Sequence, residues 1–140
     1  MSTAEAAPVF APGLLKGRVA LVTGGGTGIC RGIALAFAAH GADVVITSRK
    51  AEHLEPTARE IEALGVRALA LPADVRDPAA VAEAVAAVEK TFGRLDIVVN
   101  GAAGNFVCAA EDLSPNGFGT VVDIDLKGTY NVSRACLPLL

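Results

Sequence analysis

Four glycines fall within five consecutive positions, Gly24-Gly25-Gly26-Thr27-Gly28, and the short apolar run Arg18-Val-Ala-Leu-Val-Thr23 leads straight into them. Such a run ending in glycine reads as a buried strand followed by a tight turn. The amphipathic stretch from about Ile29 to His40, closed by Gly41, reads as the helix that this turn feeds. His40 then lies beside the helix's C-terminal carbonyls, where a polar ring is well placed. A strand that enters a helix through glycines is a βα unit, and the rest of the chain repeats that unit.

Asp43-Val-Val-Ile-Thr47 is the second expected strand, and Ala51 to Leu64 is a helix with Leu54, Ala58 and Ile61 on one face and Gly65 at its end. Val66 to Leu71 is the third strand. Asp77-Pro78 then opens a helix with an N-cap acid and a proline at its first position. Val81, Val85, Val88 and Phe92 line one face of it, and Gly93 stops it. Leu95 to Asn100 is a continuous apolar fourth strand, as expected where both faces are covered. A glycine-rich loop runs on to Leu113, and Ser114-Pro115 opens a last helix that is expected to continue to Leu140. Regular alternation of this kind predicts a doubly wound parallel α/β sheet. Right-handed crossovers order its strands 3-2-1-4 and leave a ligand crevice between the first and fourth.

Composition narrows the function classes. With 140 residues, 52% hydrophobic and 19% charged, the chain has enough apolar matter for one packed domain. A net charge of −3 supplies no footprint for a nucleic-acid backbone. Cys30, Cys108 and Cys136 fit neither a disulfide framework nor a metal template, which points to a reduced, intracellular protein. No apolar run approaches the ~20 residues that span a bilayer. Residues 1–13 contain no Lys or Arg and so lack a secretory leader's basic start; they read as a flexible arm before a domain at 14–140, with the cytosol as the default location.

Glycine between a strand and a helix lets the backbone approach a diphosphate whose charge faces the helix N-terminus. The bland alternative is a tight turn without ligand. The common dinucleotide spacing is not met, since the sixth position counted from Gly24 is Ile29. Cofactor choice is read at the end of the second strand, where an acid would bind a ribose 2′-hydroxyl and an arginine a 2′-phosphate. That strand ends Thr47-Ser48-Arg49-Lys50, without an acid, so NADPH is the expected cofactor and Arg49 and Lys50 its phosphate contacts, the alternative being a solvated turn. Asp74, after the third strand, either accepts from an adenine amino group or caps the turn before Asp77.

Thr23-Gly-x-x-x-Gly28, Asp74-Val75 and Asn100-Gly-Ala-Ala103 resemble the short-chain dehydrogenase/reductase pattern, from about Leu14 onward. More narrowly, Asn100-Gly-Ala-Ala-Gly-Asn-Phe106, Leu113-Ser-Pro-Asn116 and Asp123-Ile-Asp125 resemble the 2,4-dienoyl-CoA reductases, especially the peroxisomal type and its bacterial relatives. The resemblance implies a Rossmann fold and an NADPH-dependent reduction of 2,4-dienoyl-CoA to 3-enoyl-CoA. It implies cofactor contacts at Gly24, Gly25, Gly26, Thr27, Gly28, Ile29, Asp74, Val75, Asn100 and Ala102, beside Arg49 and Lys50. It implies substrate contacts at Arg49, Arg76, Phe106, Ser114, Pro115 and Asn116, and a proton-transferring acid at Asp125, which is either a buried carboxyl beside the nicotinamide or a solvated Asp in an early helical turn. Arg76 would meet a coenzyme A phosphate, or is a plain loop arginine. The resemblance also implies a homo-oligomer, and a peroxisomal location if the source is eukaryotic.

Three departures stand out. Cys30 occupies the family's third loop glycine, so weaker cofactor binding or a slight helix shift is expected. Gly101 replaces the second Asn of the common Asn-Asn-Ala-Gly motif. No Tyr-x-x-x-Lys occurs, because Tyr130-Asn-Val-Ser-Arg134 ends in arginine. The expectation is therefore an inactive fragment of a roughly twice-longer enzyme, with the Lys and later strands beyond Leu140 and the fourth strand left as a long apolar edge. Two alternatives remain: an enoyl-CoA reductase or ketone/alcohol dehydrogenase of the same superfamily, and a non-catalytic NADPH-binding module.

Overall fold

The computed structural model describes residues 9–140. The part of the expected arm at 1–8 lies outside the described residues; within the remainder, the Phe10 ring meets His40 edge-on, centroids 5.9 Å apart. The elements alternate as expected: β1 Val19–Thr23, α1 Gly28–Ala39, β2 Asp43–Ser48, α2 Ala51–Ala63, β3 Ala68–Pro72, α3 Pro78–Phe92, β4 Ile97–Val99, α4 Pro115–Val122 and α5 Gly128–Cys136. All strand pairs are parallel, in the order β3-β2-β1-β4.

Side chains alternate across the sheet, and each face is covered. Val22, Val44 and Ile46 pack with Ala34 and Ala38 of α1 and Leu54 and Ile61 of α2. Val19, Leu21 and Val45 pack on the other face with Val81, Val85 and Val88 of α3 and Val132 and Cys136 of α5. Continuous apolar runs in β1 and β2 are the consequence of this two-sided burial. Burial also pushes the Cys136 thiol up to about 11, so it is a packing group rather than a nucleophile.

Local signals hold where local chemistry decides. Asp77 Oδ1 accepts from the N–H groups of Ala79 (2.9 Å) and Ala80 (3.3 Å) and starts α3. Ser114 Oγ accepts from Gly117 N–H at 3.0 Å and starts α4. The His40 ring lies 2.9 Å from Ala36 O at the end of α1.

Two expected elements differ. The last helix does not run unbroken to Leu140. A π-helical turn at Asp123–Lys127 separates α4 from α5, and a short 3₁₀ turn, Leu137–Leu139, follows. The widened turn lets Asp125 reach back to the loop after β4, accepting from Gly104 N–H at 2.9 Å, and Lys127 pairs with Asp123 across it at 2.6 Å. The expected long apolar edge shrinks to three half-buried residues, because Asp96 takes over the start of β4. Its carboxylate accepts from Val19 N–H (2.9 Å) and from Arg18 (2.9 Å) and Arg94 (2.9 Å to Nε). Among the described residues, no helix is long and apolar enough to cross a membrane, and no cluster of metal-ligating side chains occurs.

The Thr23 hydroxyl ties the C-terminal ends of β1 and β4 together. Its Oγ1 accepts from the N–H groups of both Gly101 and Ala102 at 3.0 Å and donates to Val99 O at 3.3 Å. Thr23 is 2% exposed, so water cannot replace those bonds. Thr23→Val is therefore expected to cost about 1–3 kcal/mol of stability, the penalty for burying unpaired N–H groups, read as a lower urea midpoint at unchanged m-value. Asp96→Ala should cost about 1.5–3 kcal/mol by the same measurement. The Arg94 hydrogen bond, with help from Val19 N–H and Arg18, holds the Asp96 carboxyl well below its ordinary 3.8. Its stabilisation is complete above that value and is lost as pH falls beneath it; unfolding midpoints measured from pH 6 down to pH 2 should decline less steeply in Asp96→Ala than in the parent.

Candidate functional site

A cavity of about 670 Å³ opens at the C-terminal ends of the strands, at the point where the chain crosses from one side of β1 to the other. Its lining comes from four places: the glycine loop and first turn of α1, the end of β2, the segment after β3, and the loop after β4.

Gly25 and Gly26 of the glycine loop are wedged between neighbours that leave no room for side chains. A Cβ on Gly25 would lie 2.6 Å from Ile46 Cγ2 and 2.9 Å from Val22 O. A Cβ on Gly26 would lie 2.7 Å from the His53 carbonyl oxygen. Thr57 of α2, 1% exposed, donates to Gly26 O at 3.0 Å and locks the loop from the far side. The first turn of α1 faces the cavity through Gly28, Ile29 and Cys30. N–H groups in a helix's first turn have no intrahelical acceptor, and the aligned peptide dipoles add positive potential there.

Across the cavity, the Ser48 hydroxyl donates to Lys50 O at 2.9 Å and orders the turn between β2 and α2. That turn presents Arg49 and Lys50, both exposed, together with His53. Lys50 lies 3.6 Å from Glu52, whereas Arg49 makes no ion pair among the described residues. Asp74 is the acid on the opposite wall. Arg76 folds back onto it, donating from Nη2 at 2.6 Å and from Nε at 3.0 Å, and the Arg76 backbone N–H adds a bond of 3.0 Å. Those bonds hold the Asp74 carboxyl below its usual range, so it is an anion throughout the neutral region.

The structure brings most of the expected cofactor residues together. Gly24, Gly26, Thr27, Gly28, Ile29, Arg49, Lys50, Asp74, Val75 and Ala102 all line the cavity. Two do not. Gly25 is turned into the sheet, and Asn100 points away, its Nδ2 donating to Ser133 Oγ at 3.0 Å. Asp74 performs the turn-capping role, and in doing so engages Arg76 rather than leaving it a free loop cation.

Of the expected substrate residues, Arg49 lines the cavity and Arg76 is bound to Asp74, while Phe106, Ser114, Pro115 and Asn116 form a separate group. Phe106 is 53% exposed and lies against the start of α4, where its ring comes 3.6 Å from the Cβ position of Gly117. That contact sets it next to Ser114, Pro115 and Asn116. Asp125 is exposed, as in the solvated alternative and not the buried one, because among the described residues no element packs over the π-helical turn that carries it. Its hydrogen bond to Gly104 N–H fixes the loop joining the two groups, and Ile124 on the same turn lines the cavity while filling the space beside Gly104. Sequence reasoning missed Thr47, Ser48, His53, Ala73, Ala103 and Ile124 as lining residues. Thr47 and Ser48 were discoverable from their place at the end of β2. His53 and Ile124 carry no local signal, since only the packing of their helices brings them to the cavity.

The geometry agrees with the comparisons. The short chain dehydrogenase family model matches residues 18–140. A peroxisomal 2,4-dienoyl-CoA reductase of Arabidopsis thaliana is 47% identical over 131 residues, 94% of this chain and 44% of the relative. Its namesake from Pongo abelii is 50% identical over 127 residues, 90% of this chain and again 44% of the relative. The chain thus spans about 44% of the length of these curated relatives. Among solved structures, a short chain dehydrogenase from Burkholderia cenocepacia in complex with NADP superposes with a TM-score of 0.84 at 42% identity, covering 90% of this chain and 52% of that one. An NAD+-bound xylitol dehydrogenase superposes with the same score at 30% identity, covering 89% and 48%. Sequence match, strand order and the glycine-loop cavity converge: the chain belongs to the short-chain dehydrogenase family.

Proposed function

We propose that this chain provides the cofactor half of an NADPH-dependent 2,4-dienoyl-CoA reductase. The observation that carries the reading is the composition of the cavity: a glycine loop and helix N-terminus on one side, and Arg49, without an ion-pair partner among the described residues, at the end of β2 on the other. The donor set fits an anionic dinucleotide. The first-turn N–H groups of α1 hold its diphosphate, Arg49 and Lys50 pair with a ribose 2′-phosphate, and Asp74 takes a hydrogen bond from the adenine amino group with the oxygen capacity that Arg76 leaves. When bound, the nicotinamide supplies the hydride.

The neighbouring group then serves the acyl-CoA. Phe106 and the Ser114–Asn116 segment border the acyl chain, and Arg76, already charged and oriented by Asp74, meets a coenzyme A phosphate. Asp125, held at Oδ1 by Gly104 N–H, takes part in proton delivery to the carbon skeleton. For an exposed carboxyl to retain a proton near neutral pH it must be desolvated, so closure of the site over Asp125 belongs to this reading. Names of the relatives support the substrate and a peroxisomal location in eukaryotes. Exposed Phe118 and Leu126 on the α4–α5 segment support a homo-oligomer. A second reading, an alcohol or ketone dehydrogenase of the same family, is favoured by the solvent exposure of Asp125.

Fluorescence titration of the chain with each reduced cofactor tests the first part. NADPH is expected to bind more tightly than NADH, and Arg49→Ala to weaken NADPH about 10–100-fold while leaving NADH within about twofold. Equal affinity for the two cofactors in the parent overturns it. The reaction is tested on the protein at the length of its relatives. Asp125→Asn should lower kcat with a 2,4-dienoyl-CoA by about 10²–10⁴-fold, with the NADPH Kd unchanged within about twofold. Turnover of ketones but not of dienoyl-CoA selects the second reading.

A further inference from the structure

Cys30, in the first turn of α1, and Gly101, in the loop after β4, meet across the cavity wall. Cys30 Sγ donates to Gly101 O at 3.4 Å. A Cβ placed on Gly101 would lie 2.2 Å from that sulfur, far inside contact distance, although it would clear Cys30 Cβ at 3.6 Å. The space between the helix and the loop therefore holds one small side chain, and here it is filled from the helix.

We propose that Cys30 and Gly101 are a size-matched pair: the gap between the glycine loop and the loop after β4 takes one side chain, and position 101 must go without one because Cys30 fills it. The loop cannot give way to a second side chain. Its Gly101 and Ala102 N–H groups are both fastened to Thr23 Oγ1 at 3.0 Å. On its other side, Gly101 O lies only 3.0 Å from the Cβ position of Gly24, which has φ +71°. Added bulk at 101 must therefore turn Cys30 Sγ out of its place, at the cost of its bond to Gly101 O, or displace the first turn of α1 or the segment Gly101–Ala103, all of which line the cavity. Removing the sulfur opens a small void and loses one weak hydrogen bond, a milder change. The pairing itself rests on packing alone, whereas its effect on ligand binding rests on the dinucleotide reading of the cavity.

A double-mutant cycle decides it. Cys30→Ala, Gly101→Ala and the double variant are compared with the parent in thermal midpoint and in NADPH Kd, the latter well below every midpoint so that only folded protein is titrated. Cys30→Ala is expected to hold Kd within about threefold. Gly101→Ala should weaken NADPH at least about tenfold and lower the midpoint. The double variant should regain most of both losses, the remainder reflecting the Thr23 carbonyl oxygen, which stays 3.0 Å from the new methyl group. Losses in the double variant that equal the sum of the single losses overturn the pairing. If Gly101→Ala does not fold, a folded double variant supports the pair and an unfolded one overturns it. A parent that binds neither NADPH nor NADH overturns the dinucleotide reading, and the midpoint cycle then decides the pair by itself.

Discussion

The site depends on one buried hydroxyl. Parallel strands in the order β3-β2-β1-β4 bring the ends of β1 and β4 side by side, but adjacency alone does not hold two glycine-rich loops at a fixed separation. Thr23 does so with all of its hydrogen-bonding capacity, two acceptances and one donation, inside a region that excludes water. Glycine-rich backbone has high conformational entropy, and ordering it requires such partners. Around this bond the loops interlock. Ile46 and Val22 confine Gly25, the α2 backbone at His53 confines Gly26, and Cys30 confines Gly101.

Electrostatics divides the cavity into two characters. Its α1 side offers N–H groups and a helix dipole, while the β2 side offers side-chain cations, so negative ligand charge is favoured at both ends of one groove. Asp74 stands between them without cancelling this, because Arg76 neutralises it through a closely bonded pair. No acid stands at the end of β2, and Arg49 there makes no ion pair among the described residues.

Element existence was legible because each element depends on short-range chemistry. Asp77-Pro78 caps α3 by its own side chain, and Val81, Val85 and Val88 bury the face their spacing predicts. Boundaries were less legible where a distant side chain replaces a ladder bond. Asp96 accepts from Val19 N–H, and Asp43 accepts from Arg67 N–H at 2.8 Å, so β4 and β3 begin later than their apolar runs suggest. The π-helical turn at Asp123–Lys127 has no periodicity of its own, and the bond it allows Asp125 to make reaches a loop twenty-one residues away.

The amino-acid sequence alone determined the βα alternation, the strand order, the glycine loop and the basic end of β2, since all four follow from local pattern and the fixed handedness of the chain. Tertiary structure alone decided that Asp74 is engaged by Arg76, that Asn100 turns away from the cavity, that Asp125 faces solvent, and that two separate departures from the family pattern, at positions 30 and 101, are one contact. The physical reason is range. Periodicity and capping act over a few residues, whereas a steric fit between residues seventy-one positions apart exists only once the sheet has brought them together.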